Sequence, residues 1–174
     1  MAGVTLSGKA ITGLLALATL MVFAGLALWL APLQPGIVAL QLAFTPARFQ
    51  DVLAHWGAAG VARYRAHFPF DFLLLALYGA LGWRWVRRSP AFAVLAPAWR
   101  RRVAALVPLA AAFDAGENAL HLALTAPATL AATPDLPLVI AAAMCASGKW
   151  LLLTGFVVAL LWGSLCARAA AGRG

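Results

Sequence analysis

Asp114, Glu117, Asn118 and His121 stand three, four and seven residues apart in a stretch that is otherwise strongly apolar. An α-helix repeats every ~3.6 residues, so this spacing sets all four on one helical face. Two carboxyls, an amide and an imidazole on one stripe can bind a cation, transfer protons or hold a second polar helix. A charged side chain at mid-bilayer costs roughly 2.5 to 3.5 kcal/mol even on lenient insertion scales, so the stripe must face partners, a cavity or a neighbouring helix.

The surrounding chain makes that setting a membrane. Of 174 residues, 64% are hydrophobic and only 10% charged, with a mean hydropathy of +0.91, which indicates an integral membrane protein in a single bundle. Thirteen Lys and Arg oppose five acids, but the basic residues gather at segment ends, as anionic headgroups favour, and nucleic acid is not the partner implied.

Four segments suit a hydrocarbon core of roughly 30 Å: 10–31, 70–86, 103–125 and 138–161. The expected fold is therefore all-α: a polytopic membrane protein, with four transmembrane helices and one extracytoplasmic amphipathic helix, in one domain over residues 1–174. That amphipathic helix is expected over 46–57. Thr45-Pro46 reads as an N-cap followed by proline at N1, and Phe49, Val52, Leu53 and Trp56 repeat at helical spacing away from Arg48, Gln50 and Asp51. It is expected to end around Gly57 to Gly60. The apolar stretch 37–44 is too short to span, and is expected to re-enter the membrane or to continue the surface helix.

Arg84, Arg87, Arg88, Arg100, Arg101 and Arg102 lie in and around the second connection, and the third has Asp135 without Lys or Arg. The asymmetry predicts a bacterial inner-membrane protein with both termini cytoplasmic, in agreement with Lys9, Arg168 and Arg173. The first segment reads as an uncleaved anchor, because its apolar run exceeds the ~7 to 15 residues of a signal core. Cys145 and Cys166 are too far apart along the last segment to pair. Gly79 and Gly82, with the alanines of the third segment, suit close helix contacts.

Counting depth at ~1.5 Å per residue brings further polar residues to the stripe: Asp71 level with His121, His67 just above, and Lys149 near Asp114. One reading pairs Lys149 with Asp114 or Glu117 as bundle architecture, which leaves one acid over. A second is a metal site of His67, Asp71, Glu117 and His121, suited to zinc, iron or manganese, although no Glu-x-x-His motif is present. A third is a pocket for a hydrophobic or amphiphilic ligand, lined by Asp71, Asp114, Glu117, Asn118, His121, Lys149 and Trp56, with Asp114 and Glu117 as acid–base candidates. Phe68, Phe70, Phe72 and Tyr78 would add to its walls, while Trp29, Trp83, Trp85, Trp99 and Trp162 form interfacial belts. Ion transport along the stripe lacks a polar path to the cytoplasmic side.

Phe49 through Trp56-Gly57, Asp71-Phe72, Asp114-x-x-Glu117-Asn118 and Lys149 resemble small four-helix bacterial membrane proteins whose activity is uncharacterised. In length, four spans, a long first connection and buried acids, the layout is also similar to the emopamil-binding and sigma-2 receptor superfamily. That likeness implies binding or isomerisation of sterol-like lipids and transfers no catalytic residue. The expected function is binding of a membrane lipid or small hydrophobic ligand. The competing expectations are an accessory subunit with a protein partner, and a metal-dependent or acid–base enzyme; no particular cofactor is implied.

Overall fold

The computed structural model describes residues 7–130 and 132–172, so Arg173 lies outside the described residues. Within them the chain is all-helical: α1 (Gly8–Leu30), α2 (Ile37–Gln41), α3 (Pro46–Arg88), a 3₁₀ turn (Pro90–Phe92), α4 (Pro97–Leu124) and α5 (Leu136–Ala171). Gly8–Leu30, Pro97–Leu124 and Leu136–Ala169 are each long and apolar enough to cross a membrane, the mark of a membrane protein. On α1, Leu14, Leu17, Leu20, Met21, Phe23 and Leu28 all point outward, an apolar surface suited to lipid rather than water.

The start of α3 follows its local sequence. Thr45 Oγ1 accepts the Arg48 N–H at 3.2 Å, Pro46 supplies a position that needs no N–H, and Phe49, Val52 and Trp56 are buried while Arg48, Gln50 and Asp51 are exposed. The helix expected over 46–57 ends at a kink at Gly57, within the expected limits, and a second helix follows it at once to Arg88, reaching further back than segment 70–86; the two together are α3. Gly57 turns the backbone to φ 61°, ψ −178°, a conformation that glycine adopts without a Cβ penalty, and the chain returns at once to helix. The stretch between Gly57 and Phe70 is thus helical, with Val61, Tyr64, His67 and Phe68 buried. Segment 37–44 does not continue into α3. It forms the five-residue α2, which buries Leu40 and Gln41.

The long helices pack in the order α1, α3, α4, α5, with α3 and α5 on either side of α4 and hardly touching each other. At one end, α2 and the first half of α3 form a cap whose core includes Leu33, Leu40, Phe49, Trp56, Tyr64 and Phe68 against Leu124 and Val139. At the other, arginine-rich end, a smaller core joins Val86, Phe92, Val103 and Ala104. There the expected small-residue contacts occur: a Cβ added at Gly82 would lie 2.5 Å from Val107 Cβ, and one at Gly79 would lie 3.4 Å from Ala111 Cβ. Cys145 and Cys166 are both free.

Candidate functional site

Three positions on α3, each seven residues from the next, meet the polar stripe of α4. Tyr64 Oη lies 2.7 Å from His121 Nδ1, Asn118 Nδ2 donates to Asp71 Oδ2 at 2.6 Å, and Tyr78 Oη donates to Asp114 Oδ2 at 3.2 Å. Fourteen residues of α3, about 21 Å of rise, thus meet seven of α4, about 10 Å. The length of the two tyrosine side chains, one at each end of the set, makes up the difference.

Lys149 enters from α5. Its Nζ lies 2.9 Å from Asp114 Oδ1 and 2.7 Å from Glu117 Oε2, so it engages both acids rather than one of them. Glu117 Oε1 in turn lies 3.8 Å from His121 Nδ1. The resulting chain of side chains runs Tyr64, His121, Glu117, Lys149, Asp114, Tyr78. Glu117 and His121 are each 1% exposed, whereas the Asp114 side chain retains 12% and Asp71 and Tyr78 are half-buried. Contact with the surroundings is therefore confined to the Asp71, Tyr78 and Asp114 edge.

Several expected placements change. Asp71 pairs with Asn118, one turn along α4 from His121, because Tyr64 already occupies the His121 position. His67 is buried beside Tyr64, with Nδ1 against the Tyr64 carbonyl and its ring 4.3 Å from the Phe68 ring. Among the described residues, no three His, Cys, Asp or Glu side chains form a group that could hold a metal ion. In the set His67, Asp71, Glu117 and His121, both histidines turn to Tyr64, Asp71 turns to Asn118 and Glu117 to Lys149. Trp56 packs its ring 5.1 Å from Tyr64 and donates Nε1–H to the Pro35 carbonyl at 2.7 Å, so it braces the cap, with Tyr64 and His121 between it and Glu117. Phe68 is buried, but Phe70 and Phe72 face outward and form no wall. Trp29, Trp83, Trp85, Trp99 and Trp162 are exposed as expected of belts.

No protein-family model, curated protein or solved structure matches the chain.

The sequence reading passed over Tyr64 and Arg65. Tyr64 carries a signal, since Val61, Tyr64, Phe68, Asp71, Leu75 and Tyr78 continue a spacing of three and four into the span. Arg65 carries none. Its guanidinium donates to the Leu122 carbonyl at 2.8 Å and to Thr125 Oγ1 at 3.0 Å, satisfying a carbonyl that the end of α4 leaves without a helical partner.

Proposed function

We propose that the chain crosses the membrane four times, the fourth crossing being the second half of α3. Two links set its limits. Trp29 Nε1 donates to the Arg63 carbonyl at 3.1 Å near one end of α1, and Arg84 Nε donates to Thr12 Oγ1 at 2.9 Å near the other. The 21 residues from Arg63 to Arg84 rise about 32 Å, the thickness of a hydrocarbon core. Lys9, Arg84, Arg87, Arg88, Arg100, Arg101, Arg102 and Arg168 belong to one end, against Arg48, Arg63 and Arg65 at the cap. That imbalance favours a bacterial inner membrane with the arginine-rich end and both termini cytoplasmic, and with the first part of α3 as an extracytoplasmic amphipathic segment.

Within this frame the protein binds a hydrophobic or amphiphilic ligand whose polar group engages the Asp71, Tyr78 and Asp114 edge of the cluster. The observation that carries the reading is the charge arithmetic: Asp114 and Glu117 share the single ammonium of Lys149, and Asp71, held by the Asn118 amide on the same stripe, adds a third carboxyl without a second cation in contact among the described residues. A bundle stabilised only by packing is better served by apolar residues, since desolvating such charges offsets much of their attraction. Intramembrane carboxyls in excess of their counter-ions suit a ligand that brings a cationic or hydrogen-bond-donating group. The sparse contact between α3 and α5 supports a lateral approach from lipid, over α4.

Native mass spectrometry of the purified protein tests this. A defined lipid or small amphiphile is expected on the wild type and is lost in Asp114→Asn, with the helical circular dichroism retained. Identical bound species in both proteins would overturn the reading. The internal bonding of the whole set supports a second reading, a structural or accessory subunit. It predicts that joint replacement of Asp114, Glu117 and Lys149 by apolar residues leaves a folded protein with its bound species unchanged.

A further inference from the structure

A second polar region lies outside the cluster, where α1 ends. Pro32, Leu33 and Gln34, just after α1, face His55, Trp56, Gly60 and Arg63 of α3 across a concavity of ≈ 370 Å³. Its construction is local and rigid. The loop is tied to α3 by the hydrogen bond from Trp56 to the Pro35 carbonyl. Helix and loop approach so closely that a Cβ at Gly60 would lie 2.7 Å from Trp56 Cβ and 3.2 Å from Leu33 Cδ2. That approach requires glycine at this position.

The polar groups lining it are donors. Arg63 is half-buried, lies over the Trp29 ring at 4.9 Å, and spends one N–H on the Trp29 carbonyl at 3.0 Å. A guanidinium has five such N–H groups in a planar fork, so several remain for another acceptor. His55 donates Nδ1–H to the Asp51 carbonyl at 2.6 Å, which orients the ring and leaves Nε2 as an acceptor in the neutral imidazole and a donor in the imidazolium. Gln34 adds an amide. Among the described residues no carboxylate lies within ion-pair distance of Arg63 or His55, and no acidic side chain lines the concavity.

We propose that this concavity binds a phosphate group, with Arg63 as its principal ligand and Gln34 and the imidazolium form of His55 as secondary donors. The fork of Arg63 matches two phosphate oxygens, and the Trp56 and Leu33 surfaces suit the glycerol or acyl carbons that accompany a phospholipid phosphate. The site sits beside Trp29, at the level where the four-crossing arrangement places the headgroups of the outer leaflet. It rests on that membrane placement and not on ligand binding at the Asp114 cluster.

The test uses full-length protein, delipidated in a neutral maltoside detergent. It is titrated with dihexanoyl-phosphatidylglycerol, dihexanoyl-phosphatidylcholine and inorganic phosphate, while intrinsic tryptophan emission, to which Trp29 and Trp56 beside the site contribute, reports binding. Saturable binding of the phospholipids is expected, weakened about tenfold or more in Arg63→Gln. Ala59→Phe, which fills the concavity without removing a donor, is expected to abolish it, and Asp114→Asn to leave it unchanged. Phosphatidylglycerol and phosphatidylcholine binding without inorganic phosphate assigns the site to lipid; equal binding of inorganic phosphate assigns it to a soluble phosphate. No saturable response, or a response equal in wild type, His55→Gln and Ala59→Phe, overturns the site even where Arg63→Gln is unstable. Lost binding here with lipid retained on the wild type but absent from Asp114→Asn would separate this failure from failure of the cluster reading.

Discussion

The cap and the arginine-rich end hold their helices together in different ways. At the cap, Phe49, Trp56, Tyr64 and Phe68 interlock with Leu33, Leu40 and Val139 in a core of large side chains. At the other end the core is small, and the helices meet through glycine, Gly82 against Val107 and Gly163 against the Ala91 carbonyl. The cap buries large apolar groups, the kind of contact that drives association from water, whereas the glycine contacts rest on close backbone approach, the kind that associates helices in lipid. The Lys149 cluster lies at the junction of the two ends, with Glu117 and Lys149 almost wholly buried.

The comparison is broken most strongly at that junction. Lys149→Met leaves Asp114 and Glu117 facing each other without their ammonium, and a loss of about 3–5 kcal/mol is expected in denaturant unfolding followed by circular dichroism. Adding Asp114→Asn and Glu117→Gln to that variant is expected to recover much of the loss; no recovery would mean that Lys149 acts by packing and not by charge.

A pair of substitutions sharpens the contrast between the ends. Phe49→Ala at the cap is expected to cost about 3–5 kcal/mol by leaving a cavity. Gly82→Ala, which adds a single carbon at the other end, is expected to cost about 1–3 kcal/mol because Val107 has no room to yield. Hydrogen exchange would localise each effect, with Phe49→Ala loosening α2 and early α3, and Gly82→Ala loosening late α3 and early α4. Exchange rising in the same segments for both variants would show one cooperative core instead of two.

The smallest effect is expected at the entrance to the cap. Thr45→Ala removes the side-chain acceptor for the Arg48 N–H and should lower stability by about 1 kcal/mol, while Thr45→Ser should stay near wild type. A loss in Thr45→Ser as large as in Thr45→Ala would point to the threonine methyl and not to the cap.

Features read correctly along the chain depend on neighbours in sequence. The Thr45-Pro46 start of α3 is one, since a cap and its N–H lie three residues apart. The shared face of Asp114, Glu117, Asn118 and His121 is another, because helical period alone aligns them. The stretch from Gly57 to Phe70 was given no element of its own, although Val61, Tyr64 and Phe68 carry the spacing of the span that follows; the burial of Tyr64 and Phe68 there depends on residues far away in sequence. Depth counting placed Lys149 near the acids correctly but could not divide it between Asp114 and Glu117, which differ by less than one turn. Phe70 and Phe72 were assigned to a wall on aromatic character, and the rotation of α3 turned them outward.

Sequence by itself determined that this chain is helical, apolar enough for a membrane, and burdened with more buried carboxyls than its one mid-helix lysine can match. Those properties follow from composition and period, which neighbouring residues carry between them. The tertiary structure alone decided that Tyr64, Asp71 and Tyr78 each take a partner on α4, that Lys149 bridges two acids, and that Arg63 faces a concavity beside Trp29. Each depends on the rotation and depth of one helix against another. Side chains on different elements set those quantities together, and no single segment encodes them.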